Sequence, residues 1–249
     1  VVQVFDAVQG RLIALPPAGR RALRLRVHLE CPGLVAGWDE ARALVVADVL
    51  FRALEMEGVQ VFPAIEAPDL PPLEAKRLDR LLASYNLRAP DADDDLYADV
   101  HVLTSGGGDP RGPGVVLRVG PTSASAPIPP LPADPTDHDA AVRRCALLAT
   151  PCREPLSVSA AVLADAANTL AGWRAYVAYW SQAPSAPVPP AVRDRARGLL
   201  DADLDTPGLL GLLGEVADDP GQPDGARFEA FVWLDRVLGI ELGRDVGHA

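Results

Sequence analysis

Lysine is nearly missing from this chain: Lys76 is the single one among 23 basic residues, so positive charge is carried by arginine. Cysteine is scarce too. Cys31, Cys145 and Cys152 form no C-x-x-C pair, which fits thiols in a reducing cytoplasm better than a disulfide framework. No apolar run approaches the roughly 20 residues that a membrane span needs. No basic stretch followed by an apolar one opens the chain, as a signal peptide would. The expectation is a cytoplasmic protein without membrane contact. Basic charge as a whole is in deficit, at a net −11. Nucleic-acid binders draw affinity from neutralising phosphates and usually carry a basic footprint. The best local exception is "RRALRLRVH", Arg20 to His28, whose alternation reads as a strand with one solvated face. Several catalytic signatures are also lacking. "SGGGDPRG" has no lysine where a phosphate-binding loop needs one, and neither a G-x-S-x-G elbow nor an H-E-x-x-H pair occurs. "DADDD", Asp91 to Asp95, lacks the glycine and terminal glutamate of a calcium loop and reads as a solvated loop.

What is present is a chain of 249 residues, 49% of them apolar, enough for one large domain or two modest ones with a sizeable core. In the first half, "VVQVFDAV" and "ALRLRVHLE" alternate as strands, with "QG" and "PPAG" as turns. A helix from about Asp39 to Glu57 follows, its apolar residues three and four apart, with Gly58 as the stop. "VQVFPAI" is then a short strand, and strand–helix–strand implies a parallel sheet. "EAKRLDRLLASYNL" predicts a second amphipathic helix, and "LYADVHVL" and "VVLRVG" predict strands flanking the glycine-rich loop "TSGGGDPRGPG". The proline-rich "PTSASAPIPPLPADPTD" predicts irregular structure and a boundary between residues 1–135 and 136–249. The second half predicts five helices with short polar connections, a bundle. Their caps are Asp137, Ser157 or Ser159, a first-turn proline in "PPAVRD", and Asp205 or Thr206.

Four stretches, in order, resemble class I aminoacyl-tRNA synthetases of the cysteinyl type and their relative, the ligase that joins cysteine to an amino sugar in mycothiol synthesis. "VQVFDAVQGRLIALPP" resembles the family's opening strand and turn. "CPGLVAGWDEARALVVADVLFRALEMEGVQV" resembles "C-G-P-T-V-Y-D…H-I-G-H-A-R…V-x-x-D-x-L-x-R-x-L-x-x-x-G". "DHDAAVRRCALLATPCREPLSVSAAVLADAANTL" resembles the stem-contact region, and "LLDADLDTPGLL" resembles the helical domain's "D-D-D-L-N-T-P". The resemblance implies an α/β fold: a trimmed class I synthetase, Rossmann-like parallel sheet in 1–135, then the stem-contact region and a C-terminal α-helical bundle in 136–249.

The departures from that family bear most on function. Cys31 aligns with the first of the family's four zinc ligands, but nothing resembles the second cysteine or the "H-H-E-N-E" segment, and one thiolate cannot supply the four ligands zinc takes. No metal is expected, and all three cysteines read as small buried hydrophobes. The family's "H-I-G-H" aligns with Gly37, Trp38, Asp39 and Glu40. A helix N-terminus attracts anions through its dipole and free N–H groups, whereas two carboxylates there repel a triphosphate. Asp39 then reads as an N-cap. The lysine loop aligns with "GPTSASAP", Gly120 to Pro127, which has no lysine; Arg111 and Arg118 are the nearest cations. "ADVHVLTSGGGD" places Asp99, His101, Gly106, Gly107 and Gly108 where the family has a strand and "D-I-H-G-G-G" beside its substrate. The glycines would allow close backbone approach to a ligand; a surface loop and a strand histidine with ordinary hydrogen bonds would look the same.

These readings converge on a cysteinyl-tRNA synthetase-like protein that no longer charges tRNA and binds a protein partner or a small ligand, without cofactor. The alternative is an active ligase or transferase using ATP or an aminoacyl adenylate on a remodelled pocket. Its candidate catalytic residues are His101, Asp99 and Glu40, with Gly37, Trp38, Asp39, Gly106, Gly107 and Gly108 around the ligand. No specific tRNA binding is expected, because "DADLD" and "GEVADDPGQPD" make the helical surface acidic. Trp173, Tyr176, Tyr179 and Trp180 could stack on bases, but their spacing fits a helix face in the bundle or against a partner.

Overall fold

The computed structural model describes residues 1–29, 37–67, 70–88, 90, 97–110, 112–125 and 139–247. Asp91 to Asp95, Cys31, Arg111, Asp137 and the 135/136 boundary lie outside them. β-branched and alternating segments form the sheet as the pattern predicts. Strands β3 (Ala22–His28), β4 (Gln60–Glu66), β5 (Val100–Leu103) and β6 (Val115–Arg118) make a parallel sheet in the order β4-β3-β5-β6. The chain passes from β3 to β4 through helix α1 (Trp38–Met56), and helix α2 (Pro72–Ser84) follows β4. Both sheet edges are managed. The hairpin of β1 (Gln3–Asp6) and β2 (Arg11–Ala14) lies against β6, where Ala7 N–H donates to the Val116 carbonyl at 2.8 Å and the Asp6 carboxylate accepts from Val116 N at 3.3 Å. The far edge, β4, carries Pro63 at its centre, which has no N–H to offer another strand.

Successive residues of β3 point to opposite faces. Leu23, Leu25 and Val27 face α1, whose Leu44, Ala47 and Phe51 close on Leu25, Val27, Pro63 and Ile65 with a residual gap of about 30 Å³. Fifteen of the nineteen residues of α1 are buried, so it is a central helix, covered on all sides rather than amphipathic. The opposite face carries Arg24, Arg26 and His28. The expectation of a solvated face is corrected here, since Arg26 and His28 are 6% and 8% exposed. Polar alternation reports which residues share a face, not what covers them.

The C-terminal helices are α3 (Asp139–Leu148), α4 (Ala160–Trp180), α5 (Pro190–Leu200), α6 (Thr206–Asp218) and α7 (Asp224–Leu238); the other side of α1 meets α3 and α7, and the rest pack around those. Ser159 caps α4 by accepting from Val162 N, Asp205 caps α6 by accepting from Gly208 N, and Pro190 opens α5. Arg144 on α3 ties the halves together. Fully buried, it donates to Asp48 of α1 at 2.6 Å, to the Leu238 carbonyl at 2.6 Å and to the Tyr85 carbonyl at 3.0 Å. Gly239 ends α7 in the left-handed region (φ 62°), and a Cβ there would press on the Arg144 guanidinium. One hydrophobic core runs through sheet, α1 and bundle. The chain is an α/β fold with a four-strand parallel sheet followed by C-terminal helices. Within the proline-rich stretch, one part is regular after all. Thr122–Ala124 forms β7 and pairs in parallel with β8 (Leu156–Val158), because the residues before the prolines are a β-branched and small run that finds a partner strand. No described helix is long and apolar enough to cross a membrane.

Candidate functional site

Open parallel sheets bind ligands outside the carboxyl ends of their strands. Here that edge is formed by His28, Glu66, Leu103 and Arg118, the last residues of β3, β4, β5 and β6. Register puts Arg26 beside His101 and His28 beside Glu66 on the polar face. A chain of contacts results. Glu66 Oε2 lies 3.3 Å from His28 Nδ1, His28 Nε2 lies 2.9 Å from His101 Nδ1, and His101 Nε2 lies 3.5 Å from the Pro113 carbonyl. Arg26 Nη1 is 3.6 Å from the same Glu66 oxygen. Burial lowers the pKa of His101 below the usual histidine range; the nearby Arg26 charge adds to this, while the Pro113 carbonyl and Glu66 oppose it. His101 is 1% exposed and both its ring nitrogens face protein groups, whereas the Glu66 side chain is 45% exposed. The arrangement can pass a proton inward from Glu66. It leaves no ring nitrogen of His101 open to a ligand.

The remaining candidates have separate surroundings. Asp99 precedes β5, at the amino edge of the sheet. Its carboxylate pairs with Arg20 and accepts from Tyr97 Oη at 3.0 Å and from Arg24 N at 2.8 Å, tying β5 to the start of β3. Gly106 and Gly107 form a turn after β5, with Gly107 N–H on the Thr104 carbonyl at 3.1 Å; Arg118 holds the Gly107 carbonyl and reaches Asp109 at 3.1 Å. Gly108 follows that turn, exposed. Nothing lies within 4 Å of a Cβ built on Gly106, so the fold itself does not require glycine there.

At the amino end of α1 the N-cap is Gly37, in extended conformation and without a side-chain cap. The expectation of Asp39 as N-cap is thereby corrected. It lies inside the first turn, and its carboxylate reaches away to accept from Thr122 N at the start of β7. Glu40 is 4% exposed and folds back so far that a Cβ on Gly37 would collide with its Oε2. Trp38 is buried beside them. Arg42, one turn on, is fully buried and clamps carbonyls: Glu154 at 2.7 Å, Pro151 at 2.9 Å, Gly120 and Thr150 at 3.3 Å. Burial lowers its pKa. Gly120 in turn presses on the backbone of Arg153 and Glu154, too closely for any Cβ, and its N–H donates to the Cys152 carbonyl at 2.8 Å. The stretch from Gly120, expected to stand where a mobile lysine loop would be, therefore begins as a pinned turn and strand.

Cys145 and Cys152 are both 4% exposed, and burial pushes their thiols up to about 11 and about 12, so they stay protonated at neutral pH. Among the described residues no group of three or more His, Cys, Asp or Glu side chains is placed to hold a metal ion. A cleft of about 840 Å³ opens at the other end of α1, lined by Arg52, Met56, Gln60, Arg88 and Arg236 among others, and none of the predicted site residues lines it. His28, Glu66 and Arg26 are the contributors that sequence reasoning missed. The signal was the period-two run Arg24, Arg26, His28, taken for solvated. Comparison with protein-family models and with curated proteins finds no match to this chain.

Proposed function

We propose that this chain is a cysteinyl-synthetase-like scaffold that has lost tRNA charging and works by binding a protein partner or small ligand. The observation that carries the reading is the state of the α1 amino end. The first turn of that helix carries two of the chain's own carboxylates: Asp39 holds Thr122 N–H and Glu40 is buried over Gly37. A phosphate group there would meet two acidic groups, whose repulsion opposes the electrostatic stabilisation that adenylate formation needs. The pinned, lysine-free turn at Gly120 supports the same reading. Amino-acid-dependent pyrophosphate exchange tests it. No exchange is expected with cysteine or any other standard amino acid, and exchange at an ordinary synthetase rate ends the proposal. Total tRNA in a gel-shift titration is expected to give no saturable, salt-sensitive binding.

One observation favours the second reading, an ATP- or adenylate-using ligase or transferase. The Glu66–His28–His101 chain sits at the edge where such folds hold ligands. Calorimetric titration with ATP and with a non-hydrolysable aminoacyl-adenylate analogue separates the two. Micromolar binding that is lost in Glu66→Gln supports the enzyme; heatless titrations support the scaffold.

A further inference from the structure

Helix α4 is the longest in the chain, 21 residues or about 31 Å at 1.5 Å per residue, yet its buried residues all lie from Leu170 onward. Positions 161, 164, 165, 168, 172, 175, 176 and 179 are exposed and recur three and four apart, so they line one face along the whole helix. On a protein of net charge −11 that face carries a single charge, Asp165. It is also graded in size. Its carboxyl end bears two tyrosines, Tyr176 and Tyr179, 47% and 66% exposed, while its amino end bears alanines. Tyr176 is braced for contact, stacked on buried Trp180 with ring centroids 5.2 Å apart. Trp173 and Trp180, by contrast, point inward onto Phe231.

We propose that this face pairs with a second copy of the chain, two α4 helices packing antiparallel about a twofold axis level with Leu170. A face that is large at one end and small at the other is complementary to itself only when reversed. In that register Tyr179 lies over Ala161 of the partner subunit and Tyr176 over Ala164 of the partner subunit, each twice by symmetry. Gly172 falls near Asn168 of the partner subunit at the crossing, where small side chains let the backbones approach. Asp165 comes next to Ala175 of the partner subunit, within reach of the neighbouring tyrosine hydroxyl. Charge points to a second copy as the occupant: two chains of net charge −11 repel each other least across a surface almost free of charge, and this face is one. The mid-helix Gly172 fits the same picture. It costs helix stability relative to alanine, and nothing within 4 Å of its Cβ position inside the chain accounts for it. A single helix pair is a small interface, so association is expected in the micromolar range.

Sedimentation equilibrium of the full chain, from low to several hundred micromolar, tests this. The expected result is a reversible monomer–dimer equilibrium without higher species. Gly172→Glu has open space in the monomer, so circular dichroism and thermal midpoint are expected to hold while the dimer weakens about tenfold or more. Tyr179→Ser is expected to weaken it as well. Two changes at one position read the register. Ala175→Asp brings like charges together at Asp165 and breaks the dimer, whereas Ala175→Arg faces that carboxylate and keeps it. A monomer at every concentration, a dimer indifferent to Gly172→Glu and Tyr179→Ser, or equal effects of the two Ala175 changes would each overturn the proposal.

Discussion

The two faces of the four-stranded sheet are made by alternate residues of the same strands, and both bury residues of the central strands β3 and β5. Leu23, Leu25 and Val27 meet α1 in close apolar packing, while Arg26, His28 and His101 on the reverse are buried as a polar network closed by Glu66 and Pro113. Apolar burial needs only shape and volume, and tolerates similar side chains. Polar burial needs every donor and acceptor matched, so each residue depends on the others. The first face is legible one residue at a time; the second is legible only as a set.

The largest expected effect lies where the apolar side also carries charge. Asp48, buried in α1 beneath the sheet, accepts from Arg144 at 2.6 Å, from Arg52 at 2.6 Å and from Arg88 N at 3.1 Å. Asp48→Ala leaves a fully buried guanidinium without its counter-charge. Urea denaturation is expected to show a loss of about 3–5 kcal/mol. Replacing both partners, Asp48→Leu with Arg144→Met, is expected to recover part of that, because no unpaired charge remains. A double variant as unstable as Asp48→Ala would mean that Arg144's bonds to the Leu238 and Tyr85 carbonyls hold the halves together without the carboxylate.

Next comes the apolar face itself. Leu25, 2% exposed against α1, is expected to cost about 2–5 kcal/mol as Leu25→Ala and less than about 1.5 kcal/mol as Leu25→Met. On the polar face the order of tolerance reverses. His28→Leu keeps similar bulk but strands His101 Nδ1, and is expected to cost about 1–3 kcal/mol by the same measurement. If Leu25→Met proves the costlier of the two conservative changes, the contrast between the faces fails.

The same contrast explains what could be read in advance. Period-two and period-3.6 patterns placed β1, β3, β4, β5, β6, α1, α2 and all five bundle helices, because each buries apolar side chains, while the short strands β2, β7 and β8 escaped them; Ser159 and Asp205 announced their helices as caps. Long-range polar partnerships left no such trace. Nothing near Asp39 in the chain announces Thr122, 83 residues on, nor does anything near Arg144 announce Asp48. His101 was singled out from its neighbours in a motif, yet its closest partner is His28, 73 residues away, which two-residue periodicity had assigned to solvent.

The smallest expected effect is the one that separates the faces by chemistry alone, since only the polar face carries a histidine whose pKa burial lowers. Burial holds the folded-state pKa of His101 below its unfolded value, which is near 6.5. Above that value neither state carries the proton and this histidine adds nothing to the pH dependence. As pH falls below it, the unfolded chain binds a proton that the folded chain resists, so stability drops until the folded pKa is reached. The slope from this one group cannot exceed about 1.4 kcal/mol per pH unit. Carboxylates elsewhere also respond to acid, so the measurement is a difference: urea denaturation of the parent chain and of His101→Gln between pH 7.5 and 5.5. The parent is expected to lose stability faster than the variant over the acid half of that range, and to run parallel to it above. Parallel curves throughout would show that His101 takes up its proton in the folded protein as readily as in the unfolded chain, with the Pro113 carbonyl and Glu66 outweighing burial.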